Sequence, residues 1–312
     1  MKRELWLSSA AAALSAAAWR GAVPAEAQSR QTLRIGAGGI ESHAEGYYAL
    51  ENGFFRRHGL DVEVRPMRNG SAIAAAVAAG DLQIGVSSIL QLTQARSKNF
   101  PFIIITPGAV HDGRVVHTTN LVVAPDSKIA SAKDLNGKVV AVSTLNGLDQ
   151  LISQALIDKS GGDSSTVKFI EISPAAATEA LLQGRVDAAQ LEEPELSAAA
   201  SRVRRLGDGE DSIAPRFVTT GWFTTNEWLA NNRDTARQFS AAIFEAGAWA
   251  MQNPERAGAV LQKALRLTQA RATQIFATKR DARELEPLIA AAVKYKLAGS
   301  ISAADLVWNG SR

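Results

Sequence analysis

The stretch Lys138–Leu156, KVVAVSTLNGLDQLISQAL, joins two periodicities through a turn. Val139 to Val142 form a continuous apolar run, as a strand buried on both faces requires. Ser143, Thr144, Asn146 and Gly147 then supply small turn-forming and hydrogen-bonding residues. Leu148, Leu151, Ile152, Ala155 and Leu156 follow at helical spacing. A buried strand thus feeds an amphipathic helix through a polar loop. The first amides of that helix lack partners within it, and its dipole favours negative charge there. The loop is either a seat for a polar ligand or an ordinary helix cap made by Thr144 or Asn146. It lacks the spaced glycines and the Lys-Ser/Thr pair of a phosphate loop.

The same order occurs earlier in the chain. TLRIGAGG reads as a strand and glycine loop, AEGYYALENGFF as a helix ended by Gly53, and LDVEVRP as a strand stopped by Pro66. After a turn at Asn69-Gly70, an Ala-rich helix spans Ser71 to Ala79, and DLQIGVSS and FPFIIITPG are further strands. Downstream of the opening stretch come VKFIEIS as a strand, AAATEALLQG as a helix and RVDAAQLEEP as a strand ending at Pro194. Leu33 and Lys138, like Val62 and Val167, stand about 105 positions apart, so the grammar repeats without repeating the residues. Two similar α/β lobes with mainly parallel strands follow. The chain crosses between them near TTNLVVAPD and returns near APRFVTTGWFTTNEW, placing a strand back in the first lobe. From Asn231 the pattern is helical, with caps expected at Asn253-Pro254, Thr268 and Asp281, and this tail is expected to pack on the first lobe. Two crossings imply a hinge, and open α/β sheets hold ligands beyond the carboxyl ends of their strands.

Composition removes several classes. The 312 residues include no cysteine, which excludes disulfides, thiolate metal sites, cysteine nucleophiles and a lipid-anchored cysteine. A net charge of +3 is no footprint for nucleic acid. Lys2 and Arg3, the weakly apolar run from Leu5 to Trp19, and Ala25-Glu26-Ala27 read as a cleavable signal peptide over residues 1–27. GAGGIE places Glu41 where a dinucleotide fingerprint needs its third glycine. GVSSI lacks the closing glycine of a nucleophile elbow, so Ser87 and Ser88 read as donors or as a cap at a strand mouth. The four histidines show no metal-ligating spacing: His111 and His117 lack a matching partner, and His58 lies in a basic turn. His43 could face the cleft. Glu192 and Glu193 end a strand, one suited to a ligand amine or hydroxyl and the other to a backbone turn. Trp222 is a possible cleft wall.

ALENGFFRRHGLDVEV (Ala49–Val64) resembles the N-terminal signature of bacterial periplasmic solute-binding proteins of the nitrate/sulfonate/taurine group, which includes thiamine-pyrimidine-binding relatives. AAVAAGDLQIGVSS, SKIASAKDLNGKVVAV, LLQGRVDAAQLEEP and NPERAGAVL are similar too. The resemblance implies a two-lobe type II periplasmic-binding-protein fold: mixed, mainly parallel sheets flanked by helices, a hinge, a central cleft and a helical C-terminal tail. Lobe I would comprise residues 28–120 and 219–312, and lobe II residues 121–218. It implies ligand contacts at Gly39, Ile40, Ser42 and His43, at Asn69 and Ser71, at Ser87 and Ser88, at Thr144, Asn146 and Gly147, and at Glu192 and Glu193. The implied function is that of a monomeric periplasmic component of an ABC importer, without cofactor. It would clamp a sulfonate, carboxylate or related nitrogen compound and deliver it to a membrane permease with its ATPase. Sulfonate binders often carry an aromatic residue near the position of Glu192, and this chain does not. No Lys or Arg is expected in these loops, so an anion would depend on amides, hydroxyls and Arg114, while Glu41, Glu192 and Glu193 would favour an amine. An enzyme or a ligand sensor on the same fold are the alternatives.

Overall fold

The computed structural model describes residues 32–266 and 272–310. The expected signal peptide and the Thr268 cap lie outside the described residues. The first strands are β1 (Leu33–Gly38), β2 (Val62–Met67), β3 (Ile84–Ser88) and β4 (Phe102–Pro107), followed by β5 (Ala109–Asp112). Then come β6 (Thr119–Val123), β7 (Val139–Val142), β8 (Lys168–Glu171), β9 (Ala188–Glu192) and β10 (Arg204–Gly207). The last are β11 (Arg216–Val218), β12 (Thr220–Thr225) and β13 (Ile275–Phe276).

Two five-stranded sheets share one plan. The first runs β2-β1-β3-β12-β4 and the second, read from the matching edge, β8-β7-β9-β6-β10. In each, three strands pair in parallel and the fourth is antiparallel to both its neighbours. The antiparallel strands, β6 and β12, are those that follow the two crossings. A small third sheet, β11-β5-β13, lies beside the crossings. β2 runs on through Pro66 to Met67 instead of stopping there. It is an edge strand, where a missing N–H can be tolerated.

The apolar run of β7 is explained by burial on both faces. Val140 and Val142 join Leu121, Leu135 and Ile157 on one side, and Ala141 joins Val122, Leu181 and Leu191 on the other. In the first lobe one core reaches from Ile35 and Ile84 through Trp222 to the C-terminal helices. The helix Arg233–Gln252 buries Ala236, Phe239, Ile243, Ala246 and Ala250, a helical stripe that lays the tail on this lobe. Phe239 stacks on Phe55 with centroids 5.7 Å apart and meets Trp222 edge-on at 5.4 Å. Trp222 is therefore core rather than cleft wall. Pro254 opens its helix as expected, but the Asn253 amide donates back to the Trp249 carbonyl at 2.9 Å instead of capping. Asp281 caps a short turn by accepting from Arg283 N.

One carboxyl sits inside this core. Glu45 is fully buried, and its Oε2 accepts from Trp222 Nε1 at 2.7 Å while Oε1 has no partner. Burial pushes this carboxyl up to about 8, against the pull of the indole hydrogen bond. The folded state then holds a proton that the unfolded chain releases near 4.5, so Glu45 costs stability progressively as pH rises from about 4.5 to about 8. Glu45→Gln is expected to melt progressively higher relative to the wild type across that window. A difference in melting midpoint that stays constant with pH would show that this carboxyl does not titrate there.

Candidate functional site

The loops beyond the carboxyl ends of β1, β3, β7 and β9 converge on a cavity of about 80 Å³. Roughly 10–15 Å³ of such space holds one water, so the enclosed part suits a solute of only a few heavy atoms. Its walls come from both lobes. Gly38, Gly39, Ile40, Ser42 and His43 follow β1, and Arg68, Asn69 and Gly70 follow β2. Ser88, Gln91 and Thr220 complete the first lobe's side. The second lobe contributes Ser143, Thr144, Leu148, Asp149, Pro174, Gln190 and Glu192.

His43 is placed by a close backbone contact. Gly38 N–H donates to His43 Nδ1 at 3.1 Å, and a Cβ on Gly38 would stand 2.7 Å from that nitrogen. The glycine loop is thus needed for a histidine rather than for a pyrophosphate. Because Nδ1 accepts, the neutral ring carries its proton on Nε2. Burial lowers the His43 imidazole to about 4, so at neutral pH it is an uncharged donor.

Two carboxyls of the second lobe face the cavity. Asp149, in the first turn of the helix Leu148–Lys159, accepts from Ser143 N at 3.0 Å. Glu192, at the end of β9, takes a hydrogen bond from Ser42 of the first lobe. Burial raises both, and the charge of Asp149 raises Glu192 further, well above the usual carboxylate range. Gln190 lies beside them. One end of its amide meets Ser153 Oγ at 3.2 Å, and the other end is buried without a partner. At the mouth, Arg68 is exposed and has no carboxylate within ion-pairing distance among the described residues.

Of the residues expected in the site, Gly39, Ile40, Ser42, His43, Asn69, Ser88, Thr144 and Glu192 line the cavity. The other five lie behind its walls. Ser71 Oγ accepts from Gln91 Nε2 at 2.9 Å, and Ser87 Oγ donates to Gln91 Oε1 at 2.7 Å, so this pair orients Gln91. Ser88 caps the helix Ile89–Ser97 by accepting from Gln91 N at 3.2 Å, and Asn69 likewise caps Gly70–Ala78. Gly147 precedes the helix that carries Asp149, packed against Thr144. Asn146 sits in the left-handed region at φ 57°, and its carbonyl accepts from Gln94 Nε2 of the first lobe at 2.8 Å. Glu193 bonds Ser197 N and Oγ at 3.1 and 2.8 Å, while its carbonyl accepts from Glu41 N at 3.1 Å. Asn146 and Glu193 thus join the lobes through their backbone carbonyls.

Two further expectations are corrected. Glu41 does not offer its carboxylate to the cavity: Oε1 accepts from Thr273 N and from Gln274 N, the latter at 2.9 Å, tying the first loop to the C-terminal segment. Burial raises it to about 7 despite those amides. Arg114 is held by Asp112 at 2.7 Å, so the cation at the cavity is Arg68.

Gly38→Ala is expected to displace the His43 ring and to cost about 1–3 kcal/mol, as overpacking does. His43, freed from its buried seat, should then titrate closer to its ordinary value by NMR. An unchanged His43 titration in a folded Gly38→Ala protein would contradict this contact.

Comparison with known proteins fits this architecture. The sequence profile described as NMT1/THI5 like matches residues 40–257. A protein of Brucella abortus strain 2308 named as a binding protein is 26% identical over 71% of this chain and 67% of its own. The taurine-binding periplasmic protein of Escherichia coli K12 is 24% identical over 66% of this chain and 62% of its own. The crystal structure of the periplasmic aliphatic sulphonate binding protein SsuA from Escherichia coli superposes with a TM-score of 0.72 at 19% identity, covering 89% of this chain and 97% of that one. That likeness establishes the two-lobe binding-protein fold. With the profile spanning well over half of its length, the chain belongs to the NMT1/THI5-like family.

Proposed function

We propose that this protein is the periplasmic solute-binding component of an ABC importer. It would close on a small zwitterion and present it to a membrane permease, as a monomer exported by the signal peptide of residues 1–27. The hinge would lie where the chain leaves 28–120 and returns to 219–312, with 121–218 as the moving lobe. The observation that carries the solute class is the placing of acidic and basic groups around one small cavity: the carboxyls of Asp149 and Glu192 on the second lobe, Arg68 on the first. An ammonium or amidine facing the carboxyls would stabilise the ionised form that burial disfavours. A sulfonate or carboxylate end would face Arg68 and the hydroxyl donors. A bare anion gains Arg68 but meets two carboxyls. Taurine, which a relative is named for binding, has both groups within a few heavy atoms.

Binding rather than turnover is supported by His43. Its Nδ1 is occupied by Gly38 N–H, so the ring can donate toward the cavity but cannot take a proton there. Asp149 and Glu192 must ionise to hold a cation, so affinity for an amine should rise with pH as their protons leave.

A thermal-shift panel on residues 28–312 tests the reading, using taurine, β-alanine, ethanesulfonate, nitrate and ethylamine. A ligand at 100 times its Kd stabilises by about 2.7 kcal/mol. The zwitterions should shift the midpoint most, and more at pH 7 than at pH 5. Asp149→Asn should weaken the best of them at least tenfold, about 1.4 kcal/mol. Equal or larger shifts with ethanesulfonate or nitrate, or tighter binding by Asp149→Asn, would overturn the assignment.

A further inference from the structure

A second polar cluster lies at the crossings, outside the solute cavity. His111 stands on β5, in the stretch leading out of the first lobe, and its side chain is 1% exposed. Asp208 and Glu210 follow β10 on the way back, and both are buried. One donor atom from each of these three residues lies within 4.8 Å of the others.

The local geometry is informative. His111 Nε2 lies 2.9 Å from Asp211 Oδ1 and donates its N–H there, which turns Nδ1 inward as the atom free to bind a cation once it is unprotonated. Nδ1 then stands 3.1 Å from Glu210 Oε2. The two atoms are not aligned for a hydrogen bond, and each is buried with no hydrogen-bond partner among the described residues. Two such atoms held face to face out of water need a positive charge between them. It is either a proton, which against the opposing effect of burial the surrounding carboxylates hold on His111 more tightly than usual, or a metal ion that displaces it. In a tetrahedral zinc site with bonds of about 2.0 Å, neighbouring donor atoms stand roughly 3.3 Å apart, close to this spacing. Supporting contacts are also in place. Asp208 Oδ1 accepts from Thr119 Oγ1 and from Glu210 N, both at 2.9 Å, and Asp211 orients the His111 ring as a carboxylate commonly does for a metal-bound imidazole.

We propose that the hinge carries a binding site for one divalent transition-metal ion, Zn²⁺ by its donor set, on His111 Nδ1, Glu210 Oε2 and a carboxylate oxygen of Asp208. One imidazole and two carboxylates suit zinc, and three protein ligands leave a fourth position for water. An ion here ties the outgoing crossing to the returning one, so it bears on the hinge and not on the solute cavity. His111 and His117 showed no partner in the sequence because their partners lie 91 to 100 residues downstream, just before the chain crosses back. His117 is on the rim, 41% exposed, with Nδ1 3.1 Å from Asp208 Oδ2.

The test uses untagged residues 28–312, dialysed against chelator and titrated with zinc chloride in a calorimeter. One ion per chain should bind, and Glu210→Gln should weaken it by at least about tenfold. His58→Ala, which removes a surface histidine paired with Glu245, should leave binding unchanged. No binding, or binding lost in His58→Ala and kept in Glu210→Gln, would overturn the site. Should Glu210→Gln not fold, wild-type crystals soaked in zinc decide the matter. An anomalous peak between His111 Nδ1 and Glu210 Oε2 supports the site, and a peak only elsewhere, or none, refutes it.

Discussion

The structure depends on the return of one strand, β12, to the first sheet after the chain has built the second. Each sheet places an antiparallel strand fourth in order, β12 in the first and β6 in the second, and each follows a crossing of the chain. Both strands pair on both sides, and the backbone groups of β12 can be satisfied only when the chain crosses back to β3 and β4. The first lobe is therefore made of two separate pieces of sequence, and the second lobe is inserted between them as one continuous piece. The lobes are bound by two short connections, which permit rotation but not separation. The parallel strands of both lobes end on the same gap, and the solute cavity follows from that arrangement.

Within the gap, charge is distributed unevenly. The second lobe brings acceptors whose protons are retained by burial, and the first brings a neutral histidine donor and a surface arginine. Both lobes also spend polar groups on each other. Gln94 reaches the Asn146 carbonyl and Glu41 N reaches the Glu193 carbonyl, so closure satisfies backbone groups independently of any solute. Each such contact contributes about 0.5–1.5 kcal/mol, little enough for a small bound solute to match.

Much of this was legible in the sequence because burial on both faces forces continuous apolar runs, as in Val139–Val142. The loops that end those runs are short, so the family resemblance together with strand-end position pointed to Gly39, Ser42, Ser88 and Thr144, which line the cavity. Glu192 and Glu193 could not be separated without knowing which face of β9 meets the gap. Strand alternation did hold a usable signal, since Gln190 and Glu192 must share a face. Asp149 was hidden as an ordinary acid in a first helical turn, and Arg68 by lying one residue before the Asn69 cap. Ser71 and Ser87 look like ligand contacts in sequence, but the side chain between them, Gln91, takes their hydrogen bonds.

Because the chain has no cysteine, two can be introduced without background. Spin labels at Lys98→Cys and Lys168→Cys would report the separation of the lobes by pulsed electron resonance. The measurement compares solute-free protein with protein saturated by the solute that stabilises it most. A hinged clamp predicts a broad distribution that becomes shorter and narrower on binding. Identical distributions in the two states would contradict closure of two lobes on a solute.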